Sequence, residues 1–136
     1  MSVLNVVMPP IEKFAAPIGR LFIALIFVMS GLNKMGSYSG VAGWMEAMGV
    51  PGALLPLVIA LEVLGGLAVI IGWKTRYAAL LLSGFCLLSA LVFHANIAEQ
   101  NEMMHFMKNL ALSGGFLFLV AHGGGNYALD NRARAD

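Results

Sequence analysis

The chain has 136 residues, of which 60% are hydrophobic and only 11% charged, with Lys+Arg at 8 against Asp+Glu at 7; an ordinary soluble domain carries about 25% charged residues. So few charges cannot cover a soluble globule, and without a basic excess nothing is available to neutralise a phosphate backbone, which excludes nucleic-acid binding. The lone Cys86 excludes an internal disulfide, a CxxC redox pair and a cysteine zinc cluster. The length allows one domain over 1–136, and a mean hydropathy of +0.84 makes the lipid bilayer its solvent.

A helix needs roughly 20 mostly apolar residues to cross the hydrocarbon core, and four windows supply them. Ahead of the first, the apolar run from Val3 to Met8 is too short for a cleavable signal, and Pro9-Pro10 interrupts it. The first span is predicted over about residues 17–37. The segment that follows, Ser37 to Gly52, mixes apolar residues with Trp44 and Glu46 and closes on Gly49-Val50-Pro51-Gly52. It reads as a short interfacial or re-entrant helix with Trp44 at headgroup depth; an ordered loop with a buried Trp is the alternative. The second span, about 53–72, is joined to the third, about 77–97, by the basic turn Gly72-Trp73-Lys74-Thr75-Arg76, which forces an antiparallel hairpin. The fourth, about 104–121, stops at Gly123-Gly124-Gly125. Since unpaired backbone amides cost several kcal/mol each in lipid, the fold class is all-α, an integral membrane four-helix bundle.

Orientation follows from the basic residues. Lys13, Arg20, Lys74, Arg76, Arg132 and Arg134 fall on one side, predicted to be cytoplasmic, with both termini there and the loops around Trp44 and Glu99 outside. Lys34 and Lys108 fall at the opposite, outer end. Glu62 is deeper, about eight residues or roughly 12 Å from the outer end of its span, and His94 is near the outer end of the third. All four helices thus bring polar groups to the outer half: Lys34, Glu62, His94, and Lys108 with Asn109.

Helical spacing gives each span one inward stripe: Arg20, Ala24, Phe27, Gly31 and Lys34; Glu62, Gly65, Gly66 and Val69; Ser83, Leu87, Ala90 and His94; Asn109, Ser113 and Phe116. Small residues in these stripes also serve close helix packing in lipid. An intramembrane charge faces the bundle interior and takes a partner. Lys34 and Lys108 are near enough to the interface to snorkel. Glu62 is either half of a structural ion pair with one of these lysines or a proton-accepting, ligand-orienting group. Arg20 reads as an interface anchor rather than a ligand, and Cys86 as a small buried hydrophobe. A haem or metal centre is not expected. His94 and His122 lie at opposite ends of a core about 30 Å thick, and His94 with His105 makes only two ligands, Glu99 and Glu102 being assigned to a mobile loop.

Arg20 through Gly31 to Lys34, the Gly49-Val50-Pro51 turn, Glu62 with Gly65-Gly66 leading to Gly72, and Lys108-Asn109 leading to Gly114-Gly115 resemble the DoxX family of small bacterial four-helix membrane proteins. The resemblance spans roughly Arg20 to Gly124. It implies a multi-pass protein of the bacterial inner membrane, associated with quinone-linked redox processes and with redox or toxic-compound stress.

On that footing the expected function is a quinone-interacting redox component, with quinone as cofactor. Lys34, Lys108, Asn109 and His94 supply hydrogen-bond donors to a quinone head, and Glu62 relays protons, which makes Glu62 and His94 the candidate catalytic pair. No flavin, haem or iron–sulfur signature is present, so a redox partner protein or a diffusing reductant is implied. A homo-oligomer is compatible with the sequence. The alternatives are a non-catalytic anchor or scaffold for a redox partner, and a proton-coupled exporter of small hydrophobic compounds centred on Glu62.

Overall fold

In the computed structural model, which describes residues 3–132, the chain is helical, with no strand among the described residues. Helix α1 spans Val3–Gly36, α2 Tyr38–Ala47, α3 Leu55–Ile71 (entered through a short 3-10 turn, Gly52–Leu54), α4 Thr75–Phe93, α5 Gln100–His122 and α6 Leu129–Arg132. Four stretches are long and apolar enough to cross a membrane: Lys13–Gly36, Gly52–Ile71, Thr75–Phe93 and Gln100–His122. The outer surface suits lipid. Phe22, Leu57, Leu64, Leu88 and Phe118 stand outward, while the buried positions are mostly small or polar, as packing-driven association in a bilayer requires.

The expected spans differ from the observed ones in instructive places. The first crossing, expected over about 17–37, is Lys13–Gly36, and it lies in a helix that itself begins at Val3 and runs on through Pro9, Pro10 and Pro17. Proline already holds a helical φ, and at Pro9 and Pro10 the amides it removes belong to the part of α1 ahead of the apolar stretch, where water can serve the freed carbonyls. The third helix ends at Phe93, not at 97, with His94 as its C-cap. Apolar composition continues through Ala95 and Ile97, but Asn96, a turn former, accepts the Glu99 amide and reverses the chain. The fourth helix begins at Gln100, so Glu102 belongs to its first turn and not to a mobile loop. Segment 37–52 does hold a helix, α2, whose buried residue is Met45 while Trp44 faces outward and packs on α4.

α1 packs chiefly along α3, α4 along α5, and the α3–α4 hairpin joins the pairs. Glycine sets the first contact. A Cβ on Gly31 would lie 2.5 Å from Val63 Cγ2, and one on Gly66 would lie 2.8 Å from Val28 Cγ2 and 3.2 Å from the Ala24 carbonyl. Bare backbone at these positions lets the two helices approach to a distance that side chains forbid. The α1 stripe Arg20, Ala24, Phe27, Gly31 is buried as its spacing predicts. On α4 the inward positions are Ala79, Leu82, Ser83, Cys86 and Ala90; Leu87, assigned to that face, points outward, one residue's rotation away from Cys86. Ser83 and Ser113 cross-bond at 2.7 Å between α4 and α5. Phe27 meets Phe116 edge-on at 5.3 Å in the centre of the bundle.

At the Arg20 end, Gly72 closes α3 at φ +77 and the segment after α5 folds back against it. Ala128 is buried there, and the Asp130 amide donates to the Gly72 carbonyl at 2.8 Å. Arg20, 2% exposed, donates Nη1 to the Val69 and Ile70 carbonyls at 3.3 and 2.7 Å, and Nη2 to the Asn126 carbonyl at 3.0 Å. The sequence reading made Arg20 an anchor at the membrane interface; buried and bonded to main-chain carbonyls, it instead ties the end of α3 to the C-terminal segment. Of the two tail arginines in the charge argument, Arg134 lies outside the described residues, as does the Arg132 side chain.

Candidate functional site

The close approach of α1 and α3 builds the centre of the site. Gly31 is one turn before Lys34 and Gly66 one turn after Glu62, so the contact that the glycines permit brings these side chains face to face. Lys34 Nζ donates to Glu62 Oε1 at 2.6 Å and to Ser30 Oγ, one turn back on its own helix, at 2.7 Å. Glu62 is 1% exposed, while the Lys34 side chain is 24% exposed and reaches inward from the helix end. Of the two lysines open to Glu62, Lys34 takes it.

Around the pair lies a partly open cavity of about 220 Å³. Its polar lining includes Lys34, Glu62, His94, Lys108 and Asn109, so all five residues singled out from the sequence reach one space, from all four long helices or their caps. Its apolar walls include Phe27, Phe85, Phe93 and Trp44. Trp44 stacks on Phe93 with centroids 4.6 Å apart, which fastens α2 to the end of α4 beside His94. A shallower groove of about 370 Å³ adjoins it, sharing Ile26, Ser30, Lys34 and Val41 and continuing past Met29 and Asn33 on α1.

A second polar group borders the cavity. His94 Nδ1 lies 3.1 Å from Glu102 Oε2, and the His94 ring stacks on His105 with centroids 4.9 Å apart. Lys108 Nζ stands 3.5 Å from His105 Nδ1 and is exposed, so it caps the cavity rim and does not enter the Glu62 ion pair. Sequence reasoning missed Glu102 as a partner because a polar helix start, Gln100-Asn101-Glu102, falls below any hydropathy threshold. The available signal was an acid in a first helical turn. Ser30 was legible too, as the residue four before Lys34. His94 and His105 do meet, yet no group of three or more His, Cys, Asp or Glu able to hold a metal occurs among the described residues.

Four helices long and apolar enough to cross a membrane, around a buried ion pair and an aromatic-walled polar cavity, define a helical membrane protein with a polar cavity inside one half of the bundle. The sequence model of the DoxX family matches residues 15–95. The chain is 46% identical to the inner membrane protein YqjF of Escherichia coli (strain K12) over 123 residues, 90% of this chain and 95% of that protein. It is 32% identical to the inner membrane protein YphA of the same organism over 122 residues, 85% and 87% of the two chains. No solved structure matches. The chain belongs to the DoxX family.

Proposed function

We propose that this chain is a quinone-interacting component of a bacterial inner membrane, with its Lys34 end outward and both termini cytoplasmic. The observation that carries the reading is the convergence of Lys34, Glu62, His94, Lys108 and Asn109 on one cavity with aromatic walls. A quinone bound there supplies two-electron, two-proton redox chemistry. The residues present suit such a group. At about 220 Å³ the cavity is smaller than the roughly 300–1,000 Å³ of a drug-sized site, so it takes a ring and leaves an apolar chain to the adjoining groove along α1.

The chain's own residues divide the work. Phe27, Phe85 and Phe93 exclude water and offer ring faces, while Asn109 and Lys108 bring N–H donors to the rim. Glu62 accepts from Lys34 through Oε1, and Oε2 has no hydrogen-bond partner among the described residues, which leaves a carboxylate oxygen to hold or pass a proton. His94, bonded to Glu102 on one side and facing the cavity on the other, is a second proton-carrying group at the rim. Electrons come from a partner protein or a diffusing reductant.

Mass spectrometry of the lipid extract from gently purified protein tests the reading. A copurifying quinone is expected, with occupancy reduced in Lys108→Ala and His94→Ala and unchanged in Lys13→Gln at the far end. Arg20, also at the far end, would not serve as such a control, because it holds three main-chain carbonyls together. A wild-type preparation with neither bound quinone nor a quinone-dependent thermal shift would move the assignment to a membrane scaffold.

A further inference from the structure

Two buried side-chain atoms lack a hydrogen-bond partner among the described residues, Arg20 Nε and Thr75 Oγ1, and they lie near each other. A Cβ on Gly124 would stand 3.0 Å from Thr75 Oγ1 and 3.6 Å from Arg20 Cδ, so the two flank the glycine loop that follows α5. Thr75 is 0% exposed and Arg20 2%. The three hydrogen bonds of Arg20 go to neutral carbonyls, and it forms no ion pair among the described residues. Among the described residues no carboxylate touches the buried guanidinium; Asp130 acts on it only from beyond ion-pair distance, so part of the Arg20 charge remains to be felt at this end of the bundle.

Two cavities open on that spot. One, about 320 Å³, is polar and lies at the N-terminus of α4, lined by Thr75, Lys74, Arg76 and His122. The other, about 310 Å³, is an apolar groove between α1 and α5, lined by Arg20 with Ala16, Gly19, Ile23 and Phe118. They share His122 and Gly123 as a common rim, and Arg76 Nε lies 3.3 Å from where a Gly123 Cβ would be. Asp130 also lines the polar cavity; its carboxylate accepts the Lys74 and Thr75 amides at 2.5 and 2.8 Å, which turns it toward the start of α4, and Arg76, Lys74 and the Arg20 charge outnumber it there.

We propose that this end of the bundle is a binding site for an anionic phospholipid. The phosphate sits in the polar cavity against Arg76 and His122, with the Thr75 hydroxyl and the Arg20 charge behind it, and one acyl chain lies along the α1–α5 groove. Phosphate oxygens are the acceptors that Arg and hydroxyl donors at such a rim select. The apolar groove continuous with it favours a lipid over free phosphate, and basic pockets between helix ends are where such headgroups bind. The site is at the opposite end from the Glu62 cavity and does not depend on what that cavity binds.

The test is thermal stability of the purified full chain in detergent, titrated with phosphatidylglycerol, with diacylglycerol of the same chains, or with inorganic phosphate. Phosphatidylglycerol should raise the melting temperature saturably, and the other two should do so weakly or not at all. Arg76→Gln should weaken the apparent affinity about fivefold, the worth of one basic group near a membrane surface, whereas Lys13→Gln, which removes an exposed charge outside both cavities, should leave it unchanged. Equal losses in the two variants would reduce the effect to general surface charge and overturn the site. An equal shift from diacylglycerol would remove the phosphate contact, and an equal shift from inorganic phosphate would remove the lipid.

Discussion

Removing either end of the Lys34–Glu62 pair should destabilise the bundle by unequal amounts. Breaking a buried ion pair by deleting one partner costs about 3–5 kcal/mol when the remaining charge stays buried. Glu62 is that case. At 1% exposure, and with no other hydrogen-bond partner for its carboxylate among the described residues, it keeps at most the water that the partly open cavity admits, so Lys34→Met should cost an amount within that range. Lys34, with a side chain 24% exposed and a second bond to Ser30, keeps both solvent and a partner when Glu62 is lost. Glu62→Gln retains an amide of nearly the same shape, so its cost should fall to about 1.5–3 kcal/mol, the worth of a hydrogen bond to a charged group. The double variant should recover about 1–3 kcal/mol relative to the sum, the usual coupling between groups in direct contact. Unfolding in mixed micelles with increasing denaturing detergent measures all four corners of the cycle. Strict additivity would refute the contact, and a cost for Glu62→Gln exceeding that of Lys34→Met would refute the argument from burial.

Gly31→Ala should destabilise by about 1–3 kcal/mol through overpacking against Val63, because its Cβ would lie 2.5 Å from Val63 Cγ2. Gly84→Ala, whose Cβ would meet nothing within 4 Å, should instead stabilise by up to about 1 kcal/mol from helix propensity; equal signs for the two would undo the close-approach account. Reporter fusions after Arg76 and at the C-terminus should behave as cytoplasmic and one after Asn101 as external, as the distribution of basic residues directs. An external C-terminal reporter would reverse the orientation and, with it, the leaflet of the lipid site.

Hydropathy by itself determined that there are four crossings and that the chain belongs in a bilayer, because the cost of an unpaired amide or an exposed charge in hydrocarbon is paid segment by segment, without reference to the rest of the fold. The same local rule picked out Lys34, Glu62, His94, Lys108 and Asn109, since polar groups at that depth are few enough to stand out. Helical spacing also gave the inward face of α1 from Arg20 to Lys34. On α4 it was off by one position, because Leu87 and Cys86 are both apolar and hydropathy cannot rank them when lipid outside is as apolar as the core inside.

Partnership was decided only in three dimensions. Both lysines were equally placed to meet Glu62; the choice of Lys34 follows from Gly31 and Gly66, which let α1 approach α3. The bond from His94 to Glu102 depends on α4 ending at Phe93 and α5 starting at Gln100, boundaries set by a turn and a polar helix start that carry no hydrophobic signal. The fold-back that brings Asn126 onto Arg20 and Asp130 onto the start of α4 joins residues 106 and 56 positions apart. Local pattern specifies which face of a helix is polar, but pairing across such separations depends on how closely and at what rotation two helices meet, and that is a property of the packed bundle.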